Sequence, residues 1–126
     1  MNYSEIHNDC HAAGMAAGIK HRPVPVLVGQ GTSLFSTEID YTKQTFLLDD
    51  GACGYAWVTI HPGNSKLARE FTKLGIARKA YGGGVQIWVS EFGQSVDRKE
   101  AYAYAYAKKL RELTGEDRIY AGSRLD

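Results

Sequence analysis

The segment EAYAYAYAKKLREL at residues 100–113 constrains the fold more than any other part of the chain. Its alternation of alanine and tyrosine has the period of a half-buried strand, but Ala, Lys, Leu, Arg and Glu are all good helix formers. As a helix it has one apolar stripe, formed by Tyr102, Tyr106, Leu110 and Leu113. As a strand it would run into a charged stretch without a turn. The segment therefore predicts a helix over about residues 95–114, with Ser95 as its N-cap and Gly115 at its end.

Size and composition are those of an ordinary globular domain. The chain has 126 residues, of which 44% are hydrophobic and 23% are charged, so we expect one domain spanning residues 1–126. A membrane span is not expected, because the sequence has no run of about 18 apolar residues. The first residues do not have the pattern of a secretion signal. Two cysteines are too few for a disulfide scaffold, which favours a cytoplasmic location.

The remaining patterns alternate between helix and strand. Residues 4–20 predict a helix capped by Ser4, in which Gly14 and Gly18 indicate a close approach by another element. Further segments predict a strand at 24–29, hairpins around Asp50-Gly51 and around residues 82–84, a helix from Asn64 or Ser65 to Gly75, and a last strand in RIYAGSRL. The predicted order is α-β-ββα-ββα-β. The fold class is α+β, with an antiparallel sheet packed against helices.

Two stretches of the chain echo each other. AWVTIHPGNSKLARE (56–70) and IWVSEFGQSVDRKE (87–100) share a Trp-Val-Thr/Ser sequence, a polar turn, a capping serine and a charged first helical turn. This echo supports two successive ββα units. A duplication and independent ββα patterns explain it equally well.

Positive charge is concentrated in the middle of the sequence. Residues 66–111 contain ten basic and four acidic side chains, a net charge of +6 in a chain whose total is +1. Such a segment is typical of an anion-binding surface, and nucleic acid is the first partner to consider. The alternative is that two helices simply expose solvated basic faces.

No motif in the sequence reaches the strength of a catalytic signature. His7, Cys10 and His11 share one helix face, but zinc needs further ligands, so we expect no metal and no cofactor. Cys53 and His61 are too far apart along one strand to act as a catalytic pair, which favours a small buried cysteine at position 53. The loop at residues 29–38 begins with GQGTS and is the one candidate for a nucleotide or small-molecule site, or for an enzyme. A binding protein is favoured over an enzyme.

Two resemblances bear on function. Residues 85–113, a strand followed by GQSVDRKEAYAYAYAKKLREL, resemble the C-terminal half of double-stranded-RNA-binding domains, which implies phosphate contacts by Arg98 and Lys99. The patterns CGYAWV and GQSVDRKEAYAYA, with HAAGMAAG and VPVLVG before them, resemble a family of small phage and prophage proteins. That resemblance implies action in the cytoplasm of an infected bacterium and gives no catalytic residues.

Taken together, these patterns lead to three alternatives. The first is a non-enzymatic phage protein that binds a host protein complex and inhibits a defence system such as CRISPR–Cas. Its expected partner-binding residues are basic and aromatic: Tyr81, Arg98, Lys99, Tyr104, Lys108 and Arg111. The second is a nucleic-acid-binding protein that uses residues 66–111, and the third is a ligand-binding protein or enzyme that uses the 29–38 loop. Because Tyr104 lies opposite the apolar stripe, a homodimer through this helix also stays open.

Overall fold

The computed structural model describes residues 1–21 and 52–126, together with the backbone of two strands between them. The helices are α1 (Tyr3–Lys20), α2 (Lys66–Lys73) and α3 (Val96–Thr114). The strands are β1 (Val26–Gly29), β2 (Thr45–Leu48), β3 (Gly54–Ile60), β4 (Arg78–Lys79), β5 (Val85–Trp88) and β6 (Ile119–Leu125). The element order and the α+β class are those predicted from the sequence.

Local sequence signals account for the helix ends. The hydroxyl of Ser95 accepts from the N–H of Arg98 at the start of α3, and Gly115 ends that helix with a φ of 74°. Ser65 caps α2 in the same way. The predicted cap of α1 at Ser4 is wrong, because Asn2 and Glu5 form a reciprocal capping box two residues earlier.

Four strands form the main antiparallel sheet, in the order β4-β5-β3-β6. The hairpin around residues 82–84 is confirmed, since β4 pairs with β5. The hairpin predicted between residues 45–48 and 54–60 is wrong. β2 pairs with β1 in a separate two-stranded ladder, and β3 lies between β5 and β6. The physical reason is that β3 has one apolar face to bury and obtains two neighbours of matching register from later in the chain.

Helices α1 and α3 pack closely because α1 contains two buried glycines. A Cβ atom on Gly14 would lie 2.7 Å from the ring of Tyr102, and one on Gly18 would overlap the ring of Phe92. Both rings occupy space that any side chain at these positions would fill. The close approach predicted from the two glycines is therefore confirmed.

The core lies between the helices and one face of the sheet. Alternate residues of the strands point into it and are buried: Ala56, Val58, Ile60, Val85, Ile87 and Ile119. From the helices, Tyr106, Leu110 and Phe71 are fully buried against them. None of the described helices has the length and apolar content needed to cross a bilayer.

Candidate functional site

The opposite face of the sheet points away from the helices and carries aromatic side chains. Because successive residues of a strand point to opposite faces, the residues between the buried ones define this outer face. It consists of Tyr55, Trp57 and Thr59 in β3, Arg78 in β4, Gln86 and Trp88 in β5, and Tyr120, Gly122 and Arg124 in β6. The chain folds in this way because the buried face needs apolar residues, whereas the outer face is free to hold other types.

The aromatic rings of the outer face form one contiguous cluster across two strands. Trp57 and Trp88 lie directly opposite each other in the β3–β5 register, with ring centroids 5.0 Å apart. Tyr55 meets Trp88 edge to face at 6.1 Å. Tyr55 is 37% exposed and Tyr120, on the neighbouring strand, is 53% exposed. A contiguous apolar patch that stays partly exposed often marks an interaction site.

A glycine in β6 makes room for one of these rings. Gly122 is the register partner of Trp57, and a Cβ atom on Gly122 would lie 2.7 Å from the indole Nε1 of Trp57. The indole therefore extends sideways across the backbone of β6. This contact widens the cluster toward β6, while its ring planes are inclined to one another by 40° and 74°.

Cationic groups flank the aromatic cluster on both sides. The guanidinium carbon of Arg78 lies 5.4 Å from the ring centroid of Trp88, and that of Arg124 lies 5.5 Å from the ring of Tyr55. These distances are those of cation–π contacts. The nine outer-face residues listed above include no carboxylate. The face is therefore positively charged as well as aromatic.

One end of the outer face forms a shallow cavity. A cavity of about 170 Å³ is lined by Arg78, Gln86 and Trp88 together with the 75–77 loop. Its volume is below the roughly 300–1,000 Å³ typical of drug-sized ligand pockets. It offers an amide, a guanidinium and an indole side by side, which are groups that stack on a planar ring or hydrogen-bond to its edge.

The predicted partner-binding residues do not form a single surface. Tyr104, Lys108 and Arg111 lie on the flank of α3, which packs on β3 and β6. Tyr81 is fully exposed in the turn between β4 and β5, at the opposite edge of the sheet.

The basic pair at the start of α3 is largely withdrawn from solvent. Lys99 is 7% exposed, and its ammonium group donates to the carbonyl oxygen of Gly54 at 3.2 Å. Arg98 is half-buried beside the N-cap. The ammonium of Lys99 also lies 5.6 Å from the ring centroid of Tyr55, so the charge of Lys99 already has partners within the protein. A partner-binding role for Lys99 stays a prediction.

The basic segment at residues 66–111 is likewise divided between two places. Arg69, Lys73 and Lys79 line a cleft of about 450 Å³ between α2 and the 82–84 turn. The basic residues of α3 lie toward the opposite edge of the sheet, because α3 contacts β3 and β6. The basic side chains that give residues 66–111 their net charge of +6 therefore do not form a single surface patch.

His7 and His11 have structural partners in the interface between α1 and α3. The Nδ1 atom of His7 lies 2.7 Å from the hydroxyl of Tyr106, and that of His11 lies 2.5 Å from the hydroxyl of Tyr102. Burial lowers the pKa of His7, with a smaller contribution from His11, and burial raises the pKa of Cys10 to about 12. A protonated, buried thiol is a poor metal ligand. Within the described residues no group of three His, Cys, Asp or Glu side chains could hold a metal ion.

Two sequence candidates remain, the Cys53–His61 pair and the 29–38 loop. Cys53 and His61 flank opposite ends of β3, as expected, but Cys53 is exposed rather than buried. The reason is that residue 53 immediately precedes β3, and the alternation of side chains along the strand places residue 53 on the outer face. The 29–38 loop, apart from the backbone of Gly29 in β1, lies outside the described residues.

Sequence reasoning missed the outer-face aromatics, although one signal for them was present. The echo of Trp-Val-Thr and Trp-Val-Ser places each tryptophan at the same position of its ββα unit. In the structure these equivalent positions pair directly across β3 and β5. The alternation in GYAWVTI, with large polar or aromatic residues at every second position, carries the same information.

Comparison with known proteins adds no further guide to this site. No family model matches the chain, and neither a curated protein nor a solved structure matches it. The resemblances noted in the sequence therefore stay predictions.

Proposed function

We propose that this protein binds single-stranded nucleic acid on the outer face of its four-stranded sheet. The observation that carries the proposal is the cluster of Tyr55, Trp57 and Trp88, flanked by two arginines, on a sheet face that the described helices do not cover. Unpaired bases stack on aromatic side chains and on guanidinium planes, whatever their sequence. Arginine also neutralises the phosphates between successive bases.

The shape of this face favours a single strand over a duplex. A duplex hides its bases in the stack and presents mainly phosphates and groove edges. Rings on the face of a sheet cannot reach those bases, but they can contact bases that are splayed out. The spacing between neighbouring strands, about 4.8 Å, lets rings on adjacent strands contact successive bases of one chain.

The proposal revises the nucleic-acid alternative drawn from the sequence. The earlier expectation used the charge of residues 66–111, which the fold divides between opposite edges of the sheet. Of the outer-face cations, Arg78 belongs to that segment and Arg124 lies outside it. Stacking rather than net charge is therefore the main source of the expected affinity.

The experiment uses the protein's own fluorescence. Its two tryptophans, Trp57 and Trp88, both lie on the proposed face, so every change in tryptophan emission reports on this surface. We expect single-stranded RNA or DNA of about 10 nucleotides, within the usual site size of roughly 4–16, to quench the emission in a saturable way. A duplex of the same sequence should give little quenching at about 200 mM salt.

Two substitutions separate stacking from general effects. Tyr55→Ala should weaken binding about 5- to 150-fold, which corresponds to the roughly 1–3 kcal/mol that stacking on one base contributes. Tyr81→Ala is the control, because it removes a fully exposed tyrosine from the turn outside the outer face. Absence of quenching by any single strand at about 50 mM salt would refute the proposal. Equal losses in the two variants would also refute it.

The phage resemblance leads to a separate prediction. It implies a cytoplasmic inhibitor of a host defence complex, and the exposed flank of α3 with Tyr104 and Arg111 is where that partner was expected. The combined Tyr104→Ala and Arg111→Ala variant should then lose protection in an infection assay. An unchanged infection phenotype would remove this alternative and would leave the outer-face proposal intact.

A further inference from the structure

Among the strands of the described main sheet, β6 lies at one edge. The carbonyl of Arg118 accepts from the N–H of His61, and the N–H of Asp126 donates to the carbonyl of Cys53. Even-numbered residues of this strand therefore direct their backbone groups toward β3. By the alternation of antiparallel ladders, the N–H and C=O groups of Ala121 and Ser123 point outward. Within the described part of the chain, β6 has no strand neighbour on that side.

At one end of this edge, a side chain already binds an outward backbone carbonyl. The guanidinium of Arg111 donates to the carbonyl oxygen of Ile119 at 2.7 Å. The remaining outward groups form a short row centred on residues 121–123. An exposed edge of this kind is a ready template for pairing with another strand.

The exposed side of α3 beside this edge has an ordered charge pattern. This surface, which we call the β6 flank, consists of Glu100, Tyr104, Lys108 and Arg111. Glu100 accepts a hydrogen bond from the hydroxyl of Ser123 at 2.8 Å, whereas Arg111 reaches Ile119. Tyr104 lies between them, 71% exposed, and lines shallow cavities with Ala121 on either side. The β6 flank is thus acidic at one end, aromatic in the middle and basic at the other end.

Such a pattern is complementary to itself under a two-fold rotation. Turning a second copy by 180° about an axis near Tyr104 places the acidic end of each copy against the basic end of the other. It also brings the two Tyr104 rings together at the centre. A two-fold interface requires this kind of self-complementarity.

We propose that two copies of this chain pair through β6 in antiparallel orientation, with Gly122 of each copy opposite Gly122 of the other. In this register Ala121 faces Ser123 of the other copy, so that outward backbone groups meet. On the outer face Tyr120 comes opposite Arg124 of the other copy, which forms a cation–π pair. The result is one continuous antiparallel sheet of eight strands. This dimer does not depend on nucleic-acid binding.

The test exploits the symmetry of the interface through charge reversal. In the E100K homodimer, Lys108 of each copy faces a basic residue at position 100 of the other copy. In the K108E homodimer, Glu100 of each copy faces an acidic residue at position 108 of the other copy. Each single variant should dimerise about tenfold more weakly than the wild type, because symmetry places every change in the interface twice. Sedimentation velocity over a range of concentrations measures this shift.

Mixing the two variants gives the decisive outcome. A chain with E100K and a chain with K108E complement each other at both ends, so the mixture should form a heterodimer more readily than either variant alone. Lys66 lies on α2, outside α3 and β6, so K66E is the matched charge control and should dimerise like the wild type.

Three results would overturn the proposal. The first is a wild-type protein that stays monomeric at the highest concentration measured. The second is a mixture of the two variants that associates no better than its components. The third is a K66E variant that dimerises as weakly as E100K, since general charge effects would then explain the shift. If the protein is monomeric but single-stranded oligonucleotides still quench its tryptophan emission, the dimer is refuted and the proposed function is not.

Discussion

Replacing Gly122 by alanine is the sharpest test of the outer-face geometry. The new methyl group would lie 2.7 Å from Nε1 of Trp57 and 2.8 Å from its Cε2. Carbon contacts in proteins are normally about 3.5–4.0 Å, so the indole must move away by roughly 0.8 Å or more. Trp57 is half-buried rather than fully enclosed, so we expect its ring to tilt outward without moving the backbone.

Two opposing terms set the effect of Gly122→Ala on stability. Tilting the ring weakens the contact with Trp88, and such aromatic pairs contribute about 0.5–1.5 kcal/mol. Alanine in a strand recovers roughly 0.5–1 kcal/mol of backbone entropy relative to glycine. Since these terms are of similar size, we expect the free energy of unfolding to change by less than about 1 kcal/mol. The surface should change much more than the stability.

The assay for Gly122→Ala combines two optical measurements with the oligonucleotide titration. The near-ultraviolet circular dichroism of the tryptophan pair should weaken, and the emission should shift to longer wavelength as Trp57 becomes more exposed. Affinity for single strands should fall about 5- to 150-fold, as for the loss of one stacking position. Gly82→Ala is the matched control, since a Cβ atom there meets no neighbour within 4 Å. Wild-type optical spectra in Gly122→Ala would refute the described contact, and altered spectra with unchanged affinity would refute the proposed function.

Three further predictions concern the fold. Gly14→Ala should lower the free energy of unfolding by about 1–2 kcal/mol in chemical denaturation. Three ring atoms of Tyr102 would lie within 2.9 Å of the new Cβ, which puts the overpacking cost at about 2–3 kcal/mol, while the gain in helix propensity is about 1 kcal/mol. Lys99→Met should destabilise the protein by roughly 1–3 kcal/mol in the same assay, because it removes the charged donor to the carbonyl of Gly54 and keeps the aliphatic stem. The third prediction is pH-dependent. Burial lowers the pKa of His7 below its ordinary value of 6.5, so the unfolded chain binds a proton more readily than the folded one. The contribution of neutral His7 to the free energy of unfolding should therefore be fully present above about pH 6.5. It should decline as the pH falls toward the lowered pKa of His7 in the folded protein, as measured by denaturation at each pH.

Each of these predictions has a contradicting result. A Gly14→Ala variant as stable as the wild type would mean that α1 and α3 are less closely packed than described. An unchanged Lys99→Met variant would show that the buried ammonium contributes nothing to the fold. For the pH dependence, a His7→Gln variant that declines below pH 6.5 as steeply as the wild type would assign the effect to other groups.

The sequence alone determined the parts of this protein that depend on near neighbours in the chain. The helix over residues 96–114, its caps at Ser95 and Gly115, and the hairpin of β4 and β5 all follow from propensity, capping and turn residues within a few positions. The two glycines of α1 likewise predicted a close contact, because glycine lowers helix stability and close packing must offset that loss. These signals are local, and a single sequence contains them.

Tertiary structure alone decided which strands pair and which surfaces remain open. The sequence contained the alternation in β3, but alternation shows only that a strand has two different faces. It does not tell which face the helices cover, nor that Trp57 and Trp88 meet across two strands. In the same way, the charges of residues 66–111 are contiguous along the chain, yet Lys99 is buried and the others are divided between opposite edges of the sheet. The reason is that strand pairing and burial depend on contacts between residues that are distant in the sequence. Several segments compete for positions in the same core, and only the packing of the whole chain selects among them.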